Sequence, residues 1–581
     1  MANEHLIVCG GATSNSIGEE SASLFFDLRG RHKNVVLKIG DISRRMVQNI
    51  PDVLADLLEI ASYVYCTDQA IPRNAASTRR YGKEFYRNLK FIIPVRSLQF
   101  WASENVREAL EDTLGFLSDD QFSFEFHKYK NPPPVEEYLE FRAEDSVFKA
   151  QEVLLFSGGL DSLAGAVHEY VDNKNRIALV SHWAAPKVNS RQKELAGKLV
   201  EKYGRDSFFH IPVQVSNIDN PPKDNMQRTR SFLYAALGAT VSAMFNLNRI
   251  RFYENGVVSF NLPISEQVVG ARASRTTHPQ VLKGFASLFT MLAKHDFQVE
   301  NPFLWKSKAD VFNLVGKAGC RDLIRATSSC TRTIASTTEH PHCGTCSQCI
   351  DRRFGALASD YADDDPAERY RIDLLTGARD EGTDRAMAES YVKTATDVLK
   401  IAENEFFCKY PEIGRTLSYL DGEADGNFTK ILDLHKRHAR EVANVVDDGV
   451  RKYATAIREG TLPDSCLLII AMPEKYRTIP TRNGAALAKT ARKRAERAST
   501  IDAVKELLRK HILAAKDHVK ASMDHHQKLT LLPRPTQEQI AAELKTSVSA
   551  ISRAINDPRD KEIKILWDIA DDLEQTMRFK G

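Results

Sequence analysis

The feature that most constrains the fold is an apolar strand that runs into a glycine-rich turn and then into an apolar helix. The strand is expected over residues 152–156. The turn and the first helical residues read Ser157, Gly158, Gly159, Leu160, Asp161 and Ser162. Two adjacent glycines let the backbone turn tightly and expose N–H groups, and a helix start adds unpaired donors and a positive dipole end. The segment therefore predicts a phosphate-binding loop, although its spacing also fits an ordinary capped strand–turn–helix junction.

Three side chains of this turn fit phosphate chemistry. The Ser157 and Ser162 hydroxyls can donate hydrogen bonds to phosphate oxygens. Asp161 adds negative charge, so its expected role is to orient the loop, cap the helix or hold Mg²⁺. The loop is not a Walker A motif, because no Gly-Lys-Ser or Gly-Lys-Thr follows it.

Strands and helices alternate after the loop. The expected strands cover residues 177–181, 208–215 and 250–253, and the helices between them cover 190–202 and 227–245. Strands separated by helices favour a parallel sheet that is covered on both faces. The predicted fold class is therefore α/β, with a parallel-sheet domain over residues 146–365.

The chain has 581 residues, which predicts three or four domains at roughly 150 residues each. Residues 1–145 mix short strands and helices, so we expect an N-terminal α+β domain that ends near the proline run at 132–134. Residues 366–475 are mostly helical in pattern, and residues 476–581 form a basic helical region. Together they predict a helical C-terminal region after the α/β domain.

Composition narrows the classes of function. The 80 basic residues nearly balance the 77 acidic ones, so any nucleic-acid footprint has to be local. The longest apolar run, residues 466–472, is far shorter than the roughly 20 residues of a spanning helix. Residues 1–5 do not resemble the start of a secretory signal. We therefore expect a cytoplasmic protein without membrane contact.

A cluster of cysteines predicts a metal site. The clustered thiols belong to Cys343, Cys346 and Cys349. Two adjacent Cys-x₂-Cys turns can point their sulfurs inward, and a fourth ligand closes a tetrahedral Zn²⁺ site that would be structural. Cys330 is the expected fourth ligand, with Cys320 or His342 as alternatives. An iron–sulfur cluster would accept the same thiolates, and a set of reduced structural cysteines without a metal is the alternative.

The C-terminal region carries two patterns that fit nucleic-acid contact. Residues 475–497 contain eight basic residues and one acidic residue. A helix that starts at Thr536, a turn at 545–547 and a second helix at 548–555 follow the helix–turn–helix rhythm. The second helix would offer a DNA groove the side chains of Ser549, Ser552 and Arg553. A solvated basic face and an ordinary helical hairpin are the alternatives.

The full loop pattern resembles the signature of the PP-loop ATP pyrophosphatases, which cleave ATP between its α- and β-phosphates. Together with the cysteines, it resembles the 7-cyano-7-deazaguanine synthase (QueC) family over residues 150–358. The matching pieces are residues 157–162, 228–233, 301–310, Cys330 and 343–349. In that family a carboxylate on 7-carboxy-7-deazaguanine is activated by ATP as an acyl-adenylate, ammonia captures it, and a second ATP yields the nitrile.

The resemblance implies a PP-loop domain of the adenine nucleotide alpha hydrolase type, with ATP, Mg²⁺ and a structural Zn²⁺ as cofactors. It places Lys308 where charge develops on pyrophosphate, next to Asp310 in place of the family's Glu. Arg228 and Arg230 become candidates for contact with pyrophosphate or adenylate, because guanidinium groups suit phosphate. A surface pair at a helix start is the alternative for these two arginines.

One stretch of the family pattern is missing. The family's purine-recognition segment is not reproduced, and this chain has Glu254, Asn255 and Gly256 followed later by residues 274–279. The identity of the substrate and the second ATP-dependent step are therefore open.

The N-terminal segment is similar to the lead-in domain of QueC-like proteins from bacterial anti-phage defence operons, the QatC type. The similarity lies in residues 94–101, 116–120 and 124–126. It implies a defence role in which a protein or peptide amine of another operon product attacks the acyl-adenylate in place of ammonia. The alternative is a nucleic-acid-binding defence factor or regulator whose PP-loop domain only senses a nucleotide.

Overall fold

The chain forms two compact units, Met1–Arg477 and Thr478–Gly581, in the computed structural model. The structure describes residues 4–12, 24–28, 32–38, 50–72, 86–130, 132, 148–219, 227–262, 275–332, 337, 339–472, 504–510, 512, 535–544, 551, 555 and 567–568.

The first sheet of the larger unit contains four parallel strands from the N-terminal segment. Strands of this segment are β1 (Glu4–Cys9), β2 (Leu24–Phe26), β3 (Val35–Leu37), β4 (Asn88–Val95) and β5 (Gln121–Lys128). The sheet order is β2-β1-β4-β5, and β3 belongs to the second sheet. The described ladders are parallel throughout, so our expectation of an α+β arrangement for residues 1–145 is wrong. Parallel neighbours need crossover connections, and this segment is therefore α/β.

Three described helices accompany this sheet. They are α1 (Asp52–Ala70), α2 (Leu98–Trp101) and α3 (Glu104–Ser118). Helix α1 is buried along nearly its whole length, because it packs between the two sheets' cores and not against solvent. Asp68 lies near the C-terminal end of α1. Its side-chain carboxylate accepts hydrogen bonds from the Arg87 guanidinium at 2.6 Å and from the Thr229 N–H at 3.0 Å. One buried ion pair and one buried hydrogen bond to Asp68 thus tie the first sheet to the start of a helix on the second.

The second sheet has six strands and carries the glycine-rich loop. Its further strands are β6 (Glu152–Leu155), β7 (Ile177–Trp183), β8 (Phe208–Asn217), β9 (Arg249–Arg251) and β10 (Gln298–Glu300). The order is β10-β9-β6-β7-β8-β3, parallel except for β3, which pairs antiparallel with β8. The expected strands after the loop are confirmed, although β9 begins and ends earlier than residues 250–253.

Helices cover both faces of this sheet, as the alternation predicted. They are α4 (Leu160–Asn173), α5 (Pro186–Tyr203), α6 (Arg230–Met244), α7 (Gly256–Phe260), α8 (Pro279–Ala293), α9 (Lys308–Lys317), α10 (Arg321–Ile324) and α11 (Ser347–Leu357). Val153 and Leu155 of β6 lie in the core that contains α6. Leu154 and Phe156 lie in the core that contains α4, α5 and α9. Successive strand residues therefore face opposite helical layers, and the strand is apolar throughout.

The order of the strands creates a crevice. Strands β7 and β8, which follow β6 in the chain, lie on one side of β6 in the sheet. The next strand, β9, lies on the other side of β6. The register pairs Leu154 with Arg251, so Ser157 and Glu254, each three residues further on, leave the same edge of neighbouring strands. In open α/β sheets ligands bind at the carboxyl ends of the strands where the strand order reverses. The glycine-rich loop occupies that position.

A helical layer follows α11. Its helices are α12 (Thr383–Lys400), α13 (Glu403–Lys409), α14 (Pro411–Thr416), α15 (Ala424–Lys452), α16 (Ala454–Glu459) and α17 (Leu467–Ile470), with 3₁₀ turns at Ala362–Asp364, Ala367–Arg369 and Leu417–Tyr419. Helices α12 and α15 share one apolar core with Ile350 and Phe354 of α11. The layer is therefore packed onto the sheet domain through α11.

The smaller unit has its own apolar core. Its buried members are Val504, Leu508, Ile512, Ile540, Ala541, Ile551 and Ile555. Helix α18 (Gln537–Glu543) begins as expected at Thr536, whose Oγ1 accepts from the Gln539 N–H while the Gln539 side chain accepts from the Thr536 N–H. The basic stretch 475–497 and the predicted groove residues Ser549, Ser552 and Arg553 lie outside the described residues. Among the helices that the structure describes, none combines the length and apolar character needed to cross a membrane.

Candidate active site

The loop after β6 has the geometry of an anion-binding turn. Gly158 has a φ of +82°, a conformation that glycine adopts without strain, and Gly159 precedes the first turn of α4. The Ser157 and Ser162 hydroxyl oxygens lie 3.3 Å apart, and the Ser162 hydroxyl donates to the Gly159 carbonyl at 3.1 Å. The structure thus brings the predicted loop residues together, with both hydroxyls beside the start of the helix.

Asp161 contacts a lysine from a distant part of the chain. The Lys308 Nζ donates to both Asp161 carboxylate oxygens, at 2.8 and 3.0 Å, and lies 3.3 Å from a carboxylate oxygen of Asp351. Lys308 is 2% exposed. Burial disfavours its ammonium, but the Asp161 and Asp351 carboxylates outweigh that effect and raise the pKa of Lys308 above its usual value. The ammonium is therefore charged at neutral pH and is held at the glycine-rich loop.

The local sequence explains where Lys308 lies. It is the first residue of α9, and Ser307 and Asp310 form a reciprocal capping box around that helix start. Gly355 of α11 faces it, and a Cβ added there would lie 2.3 Å from the Lys308 Cγ. A glycine at this position lets α9 and α11 approach closely enough to bring the ammonium to the loop.

The sequence did not identify Asp351 or its partners. The Asp351 carboxylate accepts from the Asn255 amide at 3.3 Å and from the Tyr391 hydroxyl at 3.0 Å. Tyr391 belongs to α12 in the added helical layer. The only available signal was the place of Asp351 two residues after Cys349, and helical spacing there could not show which way the carboxylate points. The helical layer therefore supports the loop through Asp351 and Lys308.

The two predicted arginines lie at the start of α6. Arg228 is buried, and Arg230 is exposed. Burial, together with the Arg230 charge, lowers the pKa of His182 to about 4. The His182 carbonyl accepts from the Gln192 amide at 3.0 Å, and the same amide donates to the Ser157 carbonyl at 3.3 Å. Gln192 therefore joins the loop to the end of β7, and the positive charge of Arg230 lies near His182.

Arg191 is a further basic residue that the sequence did not single out. A Cβ added at Gly158 would lie 4.0 Å from the Arg191 Cγ. Burial and the nearby Arg352 charge lower the pKa of the Arg191 guanidinium. Its position on α5, beside the loop, adds positive charge next to the two glycines.

The cysteine cluster forms the tetrad with Cys330. The four sulfurs of Cys330, Cys343, Cys346 and Cys349 all lie within 4.8 Å of one another. Four sulfurs bound to a tetrahedral Zn²⁺ at about 2.3 Å lie about 3.8 Å apart, and the Cys343 and Cys349 sulfurs are 3.8 Å apart. The donor set therefore fits a closed zinc site. The alternative fourth ligands, Cys320 and His342, are not part of this group.

A glycine shapes the turn between Cys343 and Cys346. Gly344 has a φ of +80°, and a Cβ added there would lie 1.9 Å from the Ile372 carbonyl oxygen. The Cys346 N–H donates to the Cys343 sulfur at 3.4 Å. Such an N–H stabilises a thiolate, as a metal ligand requires.

Comparison with known families gives one match. Residues 270–359 match the model of the queuosine biosynthesis protein QueC. The matched segment contains Lys308, Asp351 and all four cysteines of the tetrad, while the loop at 157–162 precedes it. A comparison with curated proteins found no match. The match supports the QueC family and, with it, an ATP-utilising enzyme of the ligase type.

Proposed function

We propose that this chain is a PP-loop enzyme that uses ATP to activate a carboxylate as an acyl-adenylate. The observation that supports this most directly is the loop itself. Residues 157–162 lie at the point where the strand order of the sheet reverses, with an ion pair between Asp161 and the buried Lys308 at the loop. The match over residues 270–359 supports the same family of reactions.

The residues of the loop fit distinct tasks in adenylation. A substrate carboxylate oxygen attacks the α-phosphorus of ATP, the bond to the β-phosphate oxygen breaks, and pyrophosphate leaves. The Gly158 and Gly159 N–H groups and the Ser157 and Ser162 hydroxyls would hold phosphate oxygens. Lys308 would offset the charge that develops on pyrophosphate, because a fixed ammonium in a water-poor site needs no reorganisation.

Further groups would complete the site. Asp161 would orient the loop and Mg²⁺, which neutralises charge on the phosphates when it is bound. Arg228 and Arg230 are proposed to contact pyrophosphate or adenylate from the start of α6. The four cysteines of the tetrad would hold a structural Zn²⁺ that fixes the segment leading into α11.

The substrate is proposed from the family resemblance. 7-carboxy-7-deazaguanine carries the carboxylate, and the acceptor is ammonia or a protein amine supplied by another component of an anti-phage defence system. Transfer to an amine gives an amide and AMP, and dehydration to the nitrile would consume a second ATP. Contact with DNA through the C-terminal region remains a separate proposal.

The test is formation of AMP and pyrophosphate from ATP with 7-carboxy-7-deazaguanine. Asp161→Asn keeps the size of the side chain and removes its charge, and we expect the rate to fall by orders of magnitude in a folded protein. The matched control is Asp172→Asn on the same helix, where the carboxylate is 55% exposed. Nucleotide binding without pyrophosphate release in the wild type would instead favour the nucleotide-sensing alternative.

A further inference from the structure

We propose that Glu254 is the general base that accepts the proton from the incoming amine when the acyl-adenylate is captured. The inference rests on the proposed function and deepens it, because it names the group that acts in the second half of the reaction. Glu254 follows β9, the neighbour of β6 at the point where the strand order reverses.

The position of Glu254 is fixed by the sheet. Since Leu154 pairs with Arg251, Glu254 leaves β9 at the level where Ser157 leaves β6. Neighbouring strands lie about 4.8 Å apart, so the backbone of Glu254 leaves the sheet beside the glycine-rich loop. We place the acyl carbon of an adenylate whose phosphate lies on the loop on the β9 side, next to Glu254.

The Glu254 carboxylate is hydrogen-bonded through one of its two oxygens. The Thr277 hydroxyl donates to the Glu254 Oε2 at 2.5 Å, and Thr277 is itself 2.8 Å from the Ser259 hydroxyl. The Asn301 side chain fixes the Glu254 backbone, because it donates to the carbonyl at 2.8 Å and accepts from the N–H at 3.2 Å. Within the described part of the chain, Oε1 has no hydrogen-bond partner.

This arrangement joins two segments that replace the family's purine-recognition stretch. Glu254 comes from the first segment and Thr277 from the second. They are 23 residues apart in the chain, and the Thr277 hydroxyl joins the second segment to the carboxylate of the first. The segments that depart from the family pattern therefore meet where the acceptor has to bind.

The electrostatics suit a base near neutral pH. Burial raises the pKa of Glu254 to about 7, the Thr277 hydrogen bond and the Lys308 ammonium oppose that rise, and the Asp161 and Asp351 carboxylates reinforce it. A catalytic base works best when its pKa lies near the operating pH. An ordinary exposed carboxylate would be too weak a base for an amine.

The step balances without another reactant. The lone pair of a neutral amine attacks the acyl carbon and forms the C–N bond, and the surplus nitrogen proton passes to Oε1 of Glu254. The bond from the acyl carbon to the phosphate oxygen then breaks, and AMP leaves with that electron pair. Glu254 later releases the proton to water, so the products are an amide, AMP and one proton.

The experiment separates the two halves of the reaction in Glu254→Gln. Adenylation is measured as exchange of labelled pyrophosphate into ATP with 7-carboxy-7-deazaguanine, and capture is measured as amide formed with ammonia. We expect exchange within about twofold of wild type and a loss of about 10²- to 10⁴-fold in amide formation, the usual contribution of a general base. Hydroxylamine, which is uncharged at neutral pH and a stronger nucleophile, should still be converted to the hydroxamate.

Two further variants provide a control and an independent test of the assignment. Glu300→Gln removes a carboxylate that pairs with Arg251 at the next strand and should leave both half-reactions unchanged. Thr277→Val removes the hydrogen bond that lowers the pKa of Glu254, so the pH dependence of capture should move to higher pH while exchange stays the same. If Glu254→Gln no longer melts cooperatively, the pH profile of Thr277→Val decides the assignment, and an unchanged profile overturns it.

The outcomes are distinct. Wild-type rates of amide formation in Glu254→Gln, or an equal loss in exchange and capture, overturn the role as base and leave adenylation standing. Absence of exchange in the wild-type protein overturns the proposed function and the base assignment with it. Loss of capture with ammonia, retained exchange and retained hydroxamate formation support the assignment.

Discussion

Replacing Lys308 by methionine should destabilise the larger unit as well as abolish adenylation. The substitution keeps the volume of the side chain and removes the ammonium that lies 2.8 Å from Asp161 and 3.3 Å from Asp351. At an effective dielectric constant of about 20, these pairs attract by about 6 and about 5 kcal/mol. Burial of the ammonium offsets much of this, and removing one partner of a buried pair costs about 3–5 kcal/mol in practice.

The raised pKa of Lys308 keeps its ammonium charged throughout the range from pH 5 to pH 7.5. A group whose folded-state pKa is raised contributes stability that is fully present below its unfolded pKa and is lost as the pH rises through the folded value. The wild-type ion pairs are therefore intact at neutral pH. In Lys308→Met the Asp161 and Asp351 carboxylates lose their shared ammonium, and Glu254 loses the charge that opposes the rise of its pKa. Below a pH of about 7 the Glu254 carboxyl is protonated in both folded proteins, so it no longer adds to the stability difference. The stability difference should shrink as the pH falls.

Urea unfolding of the two proteins at pH 7.5 and pH 5 measures this difference. The matched control is Lys306→Met, two residues earlier, whose ammonium lies over the Phe303 ring and makes no ion pair with a described residue. A loss below about 1 kcal/mol at pH 7.5, or a loss that grows towards acidic pH, would refute the role of the ammonium as the charge that stabilises the Asp161 and Asp351 carboxylates.

Three further outcomes are expected. Cys346→Ser should lower bound zinc well below one equivalent and reduce solubility and stability, because metal ligation is coupled to folding, whereas Cys408→Ser at an exposed thiol should change neither. Gly158→Ala should slow pyrophosphate release strongly, since alanine at φ +82° costs about 1–3 kcal/mol, while Gly197→Ala in open space on α5 is the control. Truncation before Lys475 should abolish any salt-sensitive DNA binding in a filter-binding assay and leave ATP turnover intact, and binding that survives truncation would place the contact elsewhere.

Local patterns predicted the parts of the site that lie close together in the chain. The loop at 157–162 needs adjacent glycines after a buried strand, and the cysteine turns need short spacing. Both features can therefore be recognised directly in the sequence. The strands and helices after the loop were also predictable, because a sheet buried on both faces requires continuous apolar runs. The N-terminal segment was mistaken for α+β, since strand patterns do not reveal whether neighbours pair parallel or antiparallel.

The sequence by itself determined the chemistry that the loop and the cysteine tetrad can perform. Only the tertiary structure decided how distant groups surround the loop. It brings Lys308, which the family resemblance had indicated, and Asp351 together through the close approach of two helices at Gly355, and it brings Glu254 there through the register of β9 on β6. The reason is that the carboxyl ends of parallel strands meet at one edge whatever their separation in the chain. No local sequence pattern marks a carboxylate at such an edge. Its pKa and its partners are set by the residues that the fold brings beside it.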